Sequence, residues 1–341
     1  MRLQNRPLLA ALTAGFMLTL SPAAFAYEAS VFTRASTGVA VLGAPGSTED
    51  LPADRTASTT STGALTLSNR AYSLTTNAGY TASATGSSFA SVRPGAVSVM
   101  AAGQGSGTAS PPTYFQTDST GYGYASAGFR DGMTLDIAGV APYTMVWVDF
   151  SVRFDGVSDV TRTSVAGGWG KGGGDYHWGL QITSAGWGAG MMYDSGTRTY
   201  QLDEYGNVTF NSLDFGSKSF GAWVMTGTEL GLNAWAWAQA FGRGGVMFCP
   251  SGCTDQMAGV GSSLMDASHT LAWNGVQSVS LQDGTLVNLA DVSFRSGSGL
   301  DLLQPVAAVP EPGALAMVLA GLGLVGWRAR RSMRAGESRV G

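Results

Sequence analysis

The sequence predicts an all-β protein with two antiparallel sheets, and three observations support this prediction. Residues 144–154 place valine or phenylalanine at every second position, from Val146 to Phe154. Residues 176–183 repeat this period of two, which is typical of a strand with one buried face. Glycine-rich turns separate such segments, and residues 27–309 contain no long capped stretch with the 3.6-residue period of a helix. The simplest arrangement is a two-sheet sandwich, jelly-roll-like, with a closed barrel as the alternative.

Residues 1–26 are predicted to be a signal peptide that forms a helix. Basic residues precede the apolar segment 7–20, and Ala24 and Ala26 form the small-x-small pattern that precedes a cleavage site. We therefore expect cleavage before Tyr27 and export of the mature chain. A lipoprotein anchor is excluded because no cysteine follows closely after the apolar segment.

The segment after the cleavage site is expected to precede the main fold. Residues 27–62 are predicted to be a loosely structured arm, because they include a Pro-Gly turn and a serine and threonine run with little periodicity. Residues 63–308 are predicted to be the folded β ectodomain. Further strands are expected at 122–129, 220–226, 230–241, 276–281 and 292–294.

The charge of the mature body differs from that of the whole chain. Seven of the 19 basic residues lie in the terminal segments, so residues 27–309 hold 12 basic and 21 acidic residues, a net charge of −9. Nucleic-acid binding needs clustered lysine and arginine, so it is excluded as a function. Electrostatic attachment to anionic lipid is disfavoured for the same reason.

Residues 309–331 combine three features in a fixed order: a Val-Pro-Glu-Pro sequence, an apolar run over 314–327 and a basic cluster. These residues are Val309, Pro310, Glu311 and Pro312, followed by Arg328, Arg330 and Arg331. A helix over 314–327 would be about 21 Å long, shorter than a hydrocarbon core of ~30 Å, and snorkelling arginines would extend its reach. We expect a transmembrane helix with the arginines and residues 332–341 in the cytoplasm and Pro-Glu-Pro outside.

In this order the three features resemble the PEP-CTERM sorting tail, which exosortase-type membrane enzymes read. The resemblance implies an exported chain that the tail holds transiently in the inner membrane. Processing at or near the motif would then release the body to the cell surface or the extracellular space. Segments 121–129 and 266–271 also resemble strands of PEP-CTERM ectodomains, although they transfer no function. The ten residues 332–341 depart from the family pattern, in which the tail ends near the basic cluster.

The two cysteines, Cys249 and Cys253, are spaced as Cys-Pro-Ser-Gly-Cys. In an oxidising compartment this spacing favours a local disulfide. A zinc site would need His177 and His269 as further ligands, and their spacing does not support one. We expect neither a metal nor a cofactor.

The sequence contains no recognisable catalytic constellation. Residues 168–173 match Gly-x-Gly-x-x-Gly, but their all-β context predicts a flexible turn rather than a nucleotide site. No Gly-x-Ser-x-Gly motif is present. A hydrolase that uses His177 or His269 with an acidic partner stays open as an alternative. We expect no catalytic residue.

Two tryptophans decide between two further readings of the body. Trp235 and Trp237 share one face of the strand predicted at 230–241. An exposed pair would form a sugar-stacking platform for exopolysaccharide, whereas a buried pair would belong to the core, which is the usual place for large aromatic residues. The sequence favours the core, and a structural or adhesive surface protein is the leading hypothesis. A carbohydrate-binding module is the main alternative.

Overall fold

A computed structural model describes residues 27–42, 48–59, 63–77, 79–110, 116–165, 167–184, 192–202, 208–211, 216–247 and 256–306. Nearly all of these residues lie in strands. The strands are β1 Glu28–Leu42, β2 Thr48–Thr59, β3 Leu65–Asn77, β4 Tyr80–Arg93, β5 Ala96–Ala109, β6 Gln116–Ile137, β7 Met145–Phe154, β8 Val157–Val165, β9 Gly168–Ser184, β10 Met192–Leu202, β11 Val208–Asn211, β12 Gly216–Met225, β13 Glu229–Val246, β14 Met257–Leu281 and β15 Val292–Ser296. A 3₁₀ turn, Leu289–Asp291, precedes β15.

The strands form two antiparallel sheets. Sheet A has the order β11-β10-β9-β13-β6-β1-β2, with β15 paired to one end of β6. Sheet B has the order β12-β7-β14-β5-β4-β3, with β8 paired to β14. The prediction of an all-β chain with antiparallel sheets is therefore confirmed.

Both sheets contribute side chains to one buried cluster, which we call the wide core. Phe154 on β7 contacts Trp178 on β9, with ring centroids 5.5 Å apart. Phe150 on β7 contacts Trp273 on β14 at 5.5 Å, and the indole N–H of Trp273 donates to the Leu302 carbonyl at 2.7 Å. The inward residues that share this cluster include Met133, Leu135, Phe150, Phe154, Tyr176, Trp178, Leu180, Leu230, Leu232, Leu271 and Trp273.

From the wide core towards the middle of the longest strands, the inward side chains become smaller. On β13 they change from Leu230 and Leu232 to four alanines, and then to Gly242 and Gly244. Strands β6 and β9, which pair with β13, show the same gradient, and so do β5 and β14, which pair with each other in sheet B. Every second residue points inward, so smaller inward side chains fill less space and let the two sheets lie closer together.

Inward glycines of both sheets meet where the side chains are smallest, and we call this region the glycine seam. It comprises Gly86, Gly103, Gly105, Gly121, Gly123, Gly170, Gly172, Gly242, Gly244, Gly259 and Gly261. A methyl group on Gly121 would overlap the carbonyl oxygens of Thr85 and Gln104 on the facing sheet. The two backbones are thus in contact, well inside the ~10 Å that usually separates stacked sheets.

Hydroxyl groups link the two sheets across the glycine seam. The Ser263 hydroxyl on β14 lies between two carbonyl oxygens of sheet A, Gly173 at 2.9 Å and Phe241 at 2.7 Å, and its single proton can be donated to either. The Ser119 hydroxyl on β6 donates to the Ser106 carbonyl at 2.8 Å. Hydrogen bonds here take the place of the side-chain packing that holds the wide core.

Two local predictions need correction. Residues 27–62 were predicted to be a loose arm, but β1 pairs with β6 along its whole length and β2 pairs with β1. In β1, small and polar residues alternate, which fits a strand in a region where the two sheets lie close together. Composition alone does not reveal this closeness. Residues 168–173 were predicted to be a flexible turn, but they begin β9. Their glycines are required by the close approach of β14, where a Cβ on Gly170 would overlap the Val260 carbonyl.

A buried carboxylate holds the last described segment against the body. Asp131 on β6 is fully buried, and its carboxylate accepts from the Ser298 N–H at 3.0 Å and from the Ser298 hydroxyl. Burial raises the pKa of Asp131, and the hydrogen bonds from Ser298 partly offset this effect. The segment continues to Val306, whose N–H donates to the Trp273 carbonyl at 2.8 Å. The folded body is therefore tied down as far as Val306.

The predicted signal helix over 1–26 and the predicted transmembrane helix over 314–327 lie outside the described residues. Within the ranges that the structure describes, no helix is both long and apolar enough to cross a bilayer.

Candidate functional site

The outward surface of sheet A carries a group of aromatic residues on four adjacent strands. We call it the aromatic face, and it comprises Phe32 on β1, Tyr122 and Tyr124 on β6, Trp235 and Trp237 on β13, and His177 on β9. All six side chains are half-buried. They point away from the wide core because the intervening residues of each strand point inward.

The register of the strands explains how the indoles fit together. Trp237 lies directly opposite His177, and Trp235 lies opposite Gly179 on β9 and Gly128 on β6. The Trp235 ring covers Gly179 so closely that a Cβ at that position would overlap the indole. The absence of a side chain at Gly179 thus makes room for Trp235 to lean over β9.

The rings form a continuous series across the four strands. The His177 ring is nearly parallel to both indoles. Its centroid lies 5.0 Å from that of Trp235, with an interplanar angle of 10°, and 5.5 Å from that of Trp237, with an angle of 4°. Tyr124 stacks on Trp237 at 6.2 Å, and Phe32 meets Tyr124 edge-on at 5.7 Å. Burial among these rings lowers the pKa of His177. The neutral imidazole is therefore favoured in this site.

A row of hydrogen-bonded polar groups borders the rings. The Tyr122 hydroxyl donates to Gln239 Oε1 at 3.4 Å, and Gln239 Nε2 donates to Asp175 Oδ2 at 2.5 Å. Burial raises the pKa of Tyr122 to about 12, so its hydroxyl stays protonated. These three side chains occupy the same outward surface as the rings and hold one another in place.

The charged groups beside the aromatic face are engaged within the protein. Arg243 on β13 pairs with Asp118 on β6 at 2.5 Å, and its guanidinium lies 5.6 Å from the centre of the Trp169 ring. Arg34 on β1 also has an interaction partner. Apart from the Asp175 carboxylate, which accepts from Gln239, the face therefore presents rings and neutral polar groups.

The placement of Trp235 and Trp237 corrects the expectation that they belong to the core. Both lie on the outer surface, whereas Ala234, Ala236 and Ala238 occupy the inward positions between them. The facing sheet is already close at this point of β13, so only small residues fit inside. The alternation of alanine and tryptophan was visible in the sequence, but the narrow gap that explains it was not.

The contributions of Phe32 and Tyr124 were not foreseen. Tyr122 and Tyr124 share one parity on β6, which would indicate a common face, but only strand order brings them beside β13. Phe32 lay in the segment predicted to be a loose arm. The aromatic face thus depends on long-range pairing that the local sequence does not encode.

A second pair of aromatic residues lies on the outer surface of sheet B. Trp147 on β7 and Trp223 on β12 meet edge-on at 5.5 Å, and Trp223 is 50% exposed. The Trp147 indole N–H donates to Asp149 Oδ1 at 2.8 Å, which orients this ring. The two rings lack a third aromatic partner among the contacts of the described residues, and they form a smaller surface than the aromatic face.

The structure describes the surroundings of one of the two histidine side chains. His177 stacks on the indoles, and the side chain of His269 lies outside the described part of β14. Among the described residues there is no group of three or more histidine, cysteine, aspartate or glutamate side chains that could hold a metal ion.

The remaining predicted site residues lie outside the described residues, with one exception. Those outside are Ala24, Ala26, Cys249, Cys253, Val309, Pro310, Glu311, Pro312, Arg328, Arg330 and Arg331. The disulfide between Cys249 and Cys253 stays a prediction. Tyr27, the first residue after the predicted cleavage site, is described. It is buried, and its ring stacks on Phe129 at 6.2 Å.

Comparison with known proteins identifies one region of the chain. A family model for the PEP-CTERM protein-sorting motif matches residues 308–332. No curated protein and no solved structure matches the chain. The match covers the Val-Pro-Glu-Pro sequence, the apolar run and the basic cluster, and it begins two residues after Val306. Residues 308–332 are therefore a PEP-CTERM protein-sorting motif, consistent with a substrate of exosortase, a membrane enzyme.

Proposed function

We propose that this exported, exosortase-targeted chain delivers its β body to the cell surface or the extracellular matrix, where the body has a structural or adhesive role without catalysis. The observation that carries the proposal is the sorting motif at 308–332, which directly follows the folded body. The motif implies membrane anchoring through the C-terminal region and processing by exosortase. The role of the body after processing is our inference.

The attachment of the body to the motif supports this route. Val306 is held by Trp273, and five residues of extended chain from Val306 to Glu311 span at most about 18 Å. The anchored body would therefore stay close to the membrane surface until the tail is processed. Because residues 27–309 carry a net charge of −9, an anionic membrane surface would not retain the released body.

The body that performs this role is, in our proposal, a two-layer sandwich. The contact between Phe154 and Trp178 and the hydrogen bond of Ser263 each join sheet A to sheet B. A body held by hydrogen-bonded strands along most of its length suits a structural or adhesive protein, because few of its segments are free to open. The jelly-roll-like connectivity stays a prediction.

Substitution of Glu311 tests the sorting route. Cells that produce the Glu311→Ala variant should accumulate a chain that keeps its C-terminal tail in the inner-membrane fraction, while wild-type cells release a shorter form. Glu337→Ala is the matched control, because it removes a glutamate from the ten-residue extension beyond the motif. Immunoblots of cell fractions and intact mass measurement of the released form are the readouts. Processing of Glu311→Ala like wild type would refute the route.

The same mass measurement checks the other end of the chain. A released form that begins at Tyr27 would support cleavage after Ala26. A released form that still contains the residues before Tyr27 would contradict the predicted signal cleavage, whatever happens at the tail.

A further inference from the structure

The aromatic face combines two kinds of chemistry on one open surface. The half-buried rings of Trp237, His177 and Tyr124 stack on one another, and Gln239 and Asp175 place hydrogen-bonding atoms beside them. A purely apolar partner would remove water from the remaining hydrogen-bonding positions of these polar groups, which is costly. The surface therefore suits a ligand whose own faces are apolar and whose edges carry hydroxyl groups. Sugar rings have this distribution, since C–H groups lie on their faces and hydroxyls at their edges.

The arginines beside the face already have partners, which favours a ligand without negative charge. Arg243 is occupied by Asp118 and Trp169, Asp175 accepts from Gln239, and Arg34 is also engaged. An anionic sugar would have to break these internal pairs to gain a partner. A neutral sugar can lie over the rings and leave them intact.

The extent of the face indicates a chain rather than a single sugar. The rings occupy β1, β6, β13 and β9, which are adjacent in sheet A. Three strand spacings of ~4.8 Å give a row of about 14 Å, which is the length of about three sugar units. A single unit would cover only part of this row, so each added unit would gain a further ring.

We propose that the aromatic face binds an uncharged polysaccharide chain that lies across strands β1, β6, β13 and β9. This proposal rests on the proposed function, because it names the partner through which the body would adhere. Trp237 occupies the centre of the site, since it contacts both Tyr124 and His177.

A structural role for the rings gives different expectations. Cross-strand aromatic pairs stabilise a sheet whether or not a ligand is present. If the rings only cover the backbone at Gly179, their removal lowers stability and leaves polysaccharide binding unchanged. Binding and stability must therefore be measured on the same variants.

Affinity electrophoresis of the protein from whole-cell extracts, in gels that contain one polysaccharide each, tests the proposal. The uncharged probes are hydroxyethyl cellulose, galactomannan, xyloglucan and dextran, and polygalacturonate is the charged probe. We expect at least one uncharged probe to retard the wild-type protein and Trp237→Ala to weaken that binding about tenfold, the loss of one stacked ring. Trp223→Ala, on the outer surface of sheet B, is the matched control and should bind like wild type.

A second variant protects the test against misfolding of Trp237→Ala. Ser126 lies on β6 opposite both Phe32 and Trp237, so Ser126→Glu places a charge in the centre of the face without removing a ring. We expect this variant to lose retardation, and its thermal unfolding transition shows that the protein is folded.

Three outcomes would overturn the proposal. They are the absence of retardation by every uncharged probe, retardation by polygalacturonate alone, and unchanged binding in folded Trp237→Ala and Ser126→Glu. The protein is extracted from whole cells, so the assay can be carried out whether or not the C-terminal tail has been processed. A failure of the sorting route would appear in the fractionation of Glu311→Ala and would leave the binding result intact.

Discussion

At one end of the body Phe154 and Trp178 fill the space between the sheets, whereas further along the same two sheets Gly103 on β5 and Gly121 on β6 let the two backbones touch. The wide core gains its stability mainly from buried apolar surface. The glycine seam buries almost no side-chain surface, and hydrogen bonds from Ser263 and Ser119 join the sheets there. The same two sheets are therefore held by different forces at two points along their length.

This comparison explains why the aromatic residues lie on opposite sides of the same strands. On β9, Trp178 points into the wide core, while His177 points outward beside Trp237. On β13 the gap has already narrowed, so the alanines point inward and the tryptophans lie outside. Because the gap between the sheets is too narrow here for large rings, the rings lie on the outer surface and form the aromatic face.

The largest expected effect comes from emptying the wide core. Phe154→Ala should lower the free energy of unfolding by about 4 kcal/mol, because Phe154 is 1% exposed and contacts rings of the facing sheet. Urea unfolding followed by circular dichroism measures this change. The control Phe154→Leu keeps most of the volume and should cost about 1 kcal/mol. Equal costs for the two variants would show that this region is not packed like a core.

The opposite kind of substitution should damage the glycine seam. Gly121→Ala adds one methyl group against the carbonyl oxygens of Thr85 and Gln104, and we expect a loss of about 3 kcal/mol. Gly38→Ala, on β1, is the matched control because nothing lies within 4 Å of its added methyl group. The control should be neutral or stabilise by about 0.5 kcal/mol, since alanine loses less backbone entropy. Similar unfolding curves for the two variants would disprove the backbone contact.

Removal of the buried carboxylate should have an intermediate effect at the wide end. Asp131→Ala leaves the Ser298 N–H and hydroxyl without their acceptor, and we expect a loss of about 2 kcal/mol. Asp291→Ala, at an exposed position before β15, should change stability by less than about 0.5 kcal/mol. Hydrogen exchange of residues 297–306 should increase in Asp131→Ala alone. Unchanged exchange would mean that Asp131 does not hold this segment.

The smallest expected effect concerns pH and the aromatic face. Burial lowers the pKa of His177 below its ordinary value of 6.5. Between the lowered pKa and 6.5 the unfolded chain binds a proton that the folded chain does not, so stability decreases as the pH falls through this window. The difference in unfolding free energy between wild type and His177→Gln should therefore change in this window. A pH-independent difference would contradict the burial of the imidazole.

Several elements were predictable because their signals are local. The alternation at 144–154 and 176–183 predicted strands whose inward residues the structure buries. Segment 28–42 was not recognised as a strand, since its inward residues include Thr33 and Thr37, which are buried only because β6 and sheet B cover them. Trp235 and Trp237 were assigned to one face correctly, but the side on which that face lies depends on the width of the gap.

The sequence by itself determined the class of the fold and the C-terminal sorting motif. Both depend on short segments of sequence. The fold class follows from a period of two residues, and the sorting motif follows from the contiguous order of Val-Pro-Glu-Pro, apolar run and basic cluster. The tertiary structure alone decided where the sheets touch and which rings share a surface. The physical reason is that glycine, alanine and tryptophan take their roles from the distance to a facing strand that lies far away in the chain.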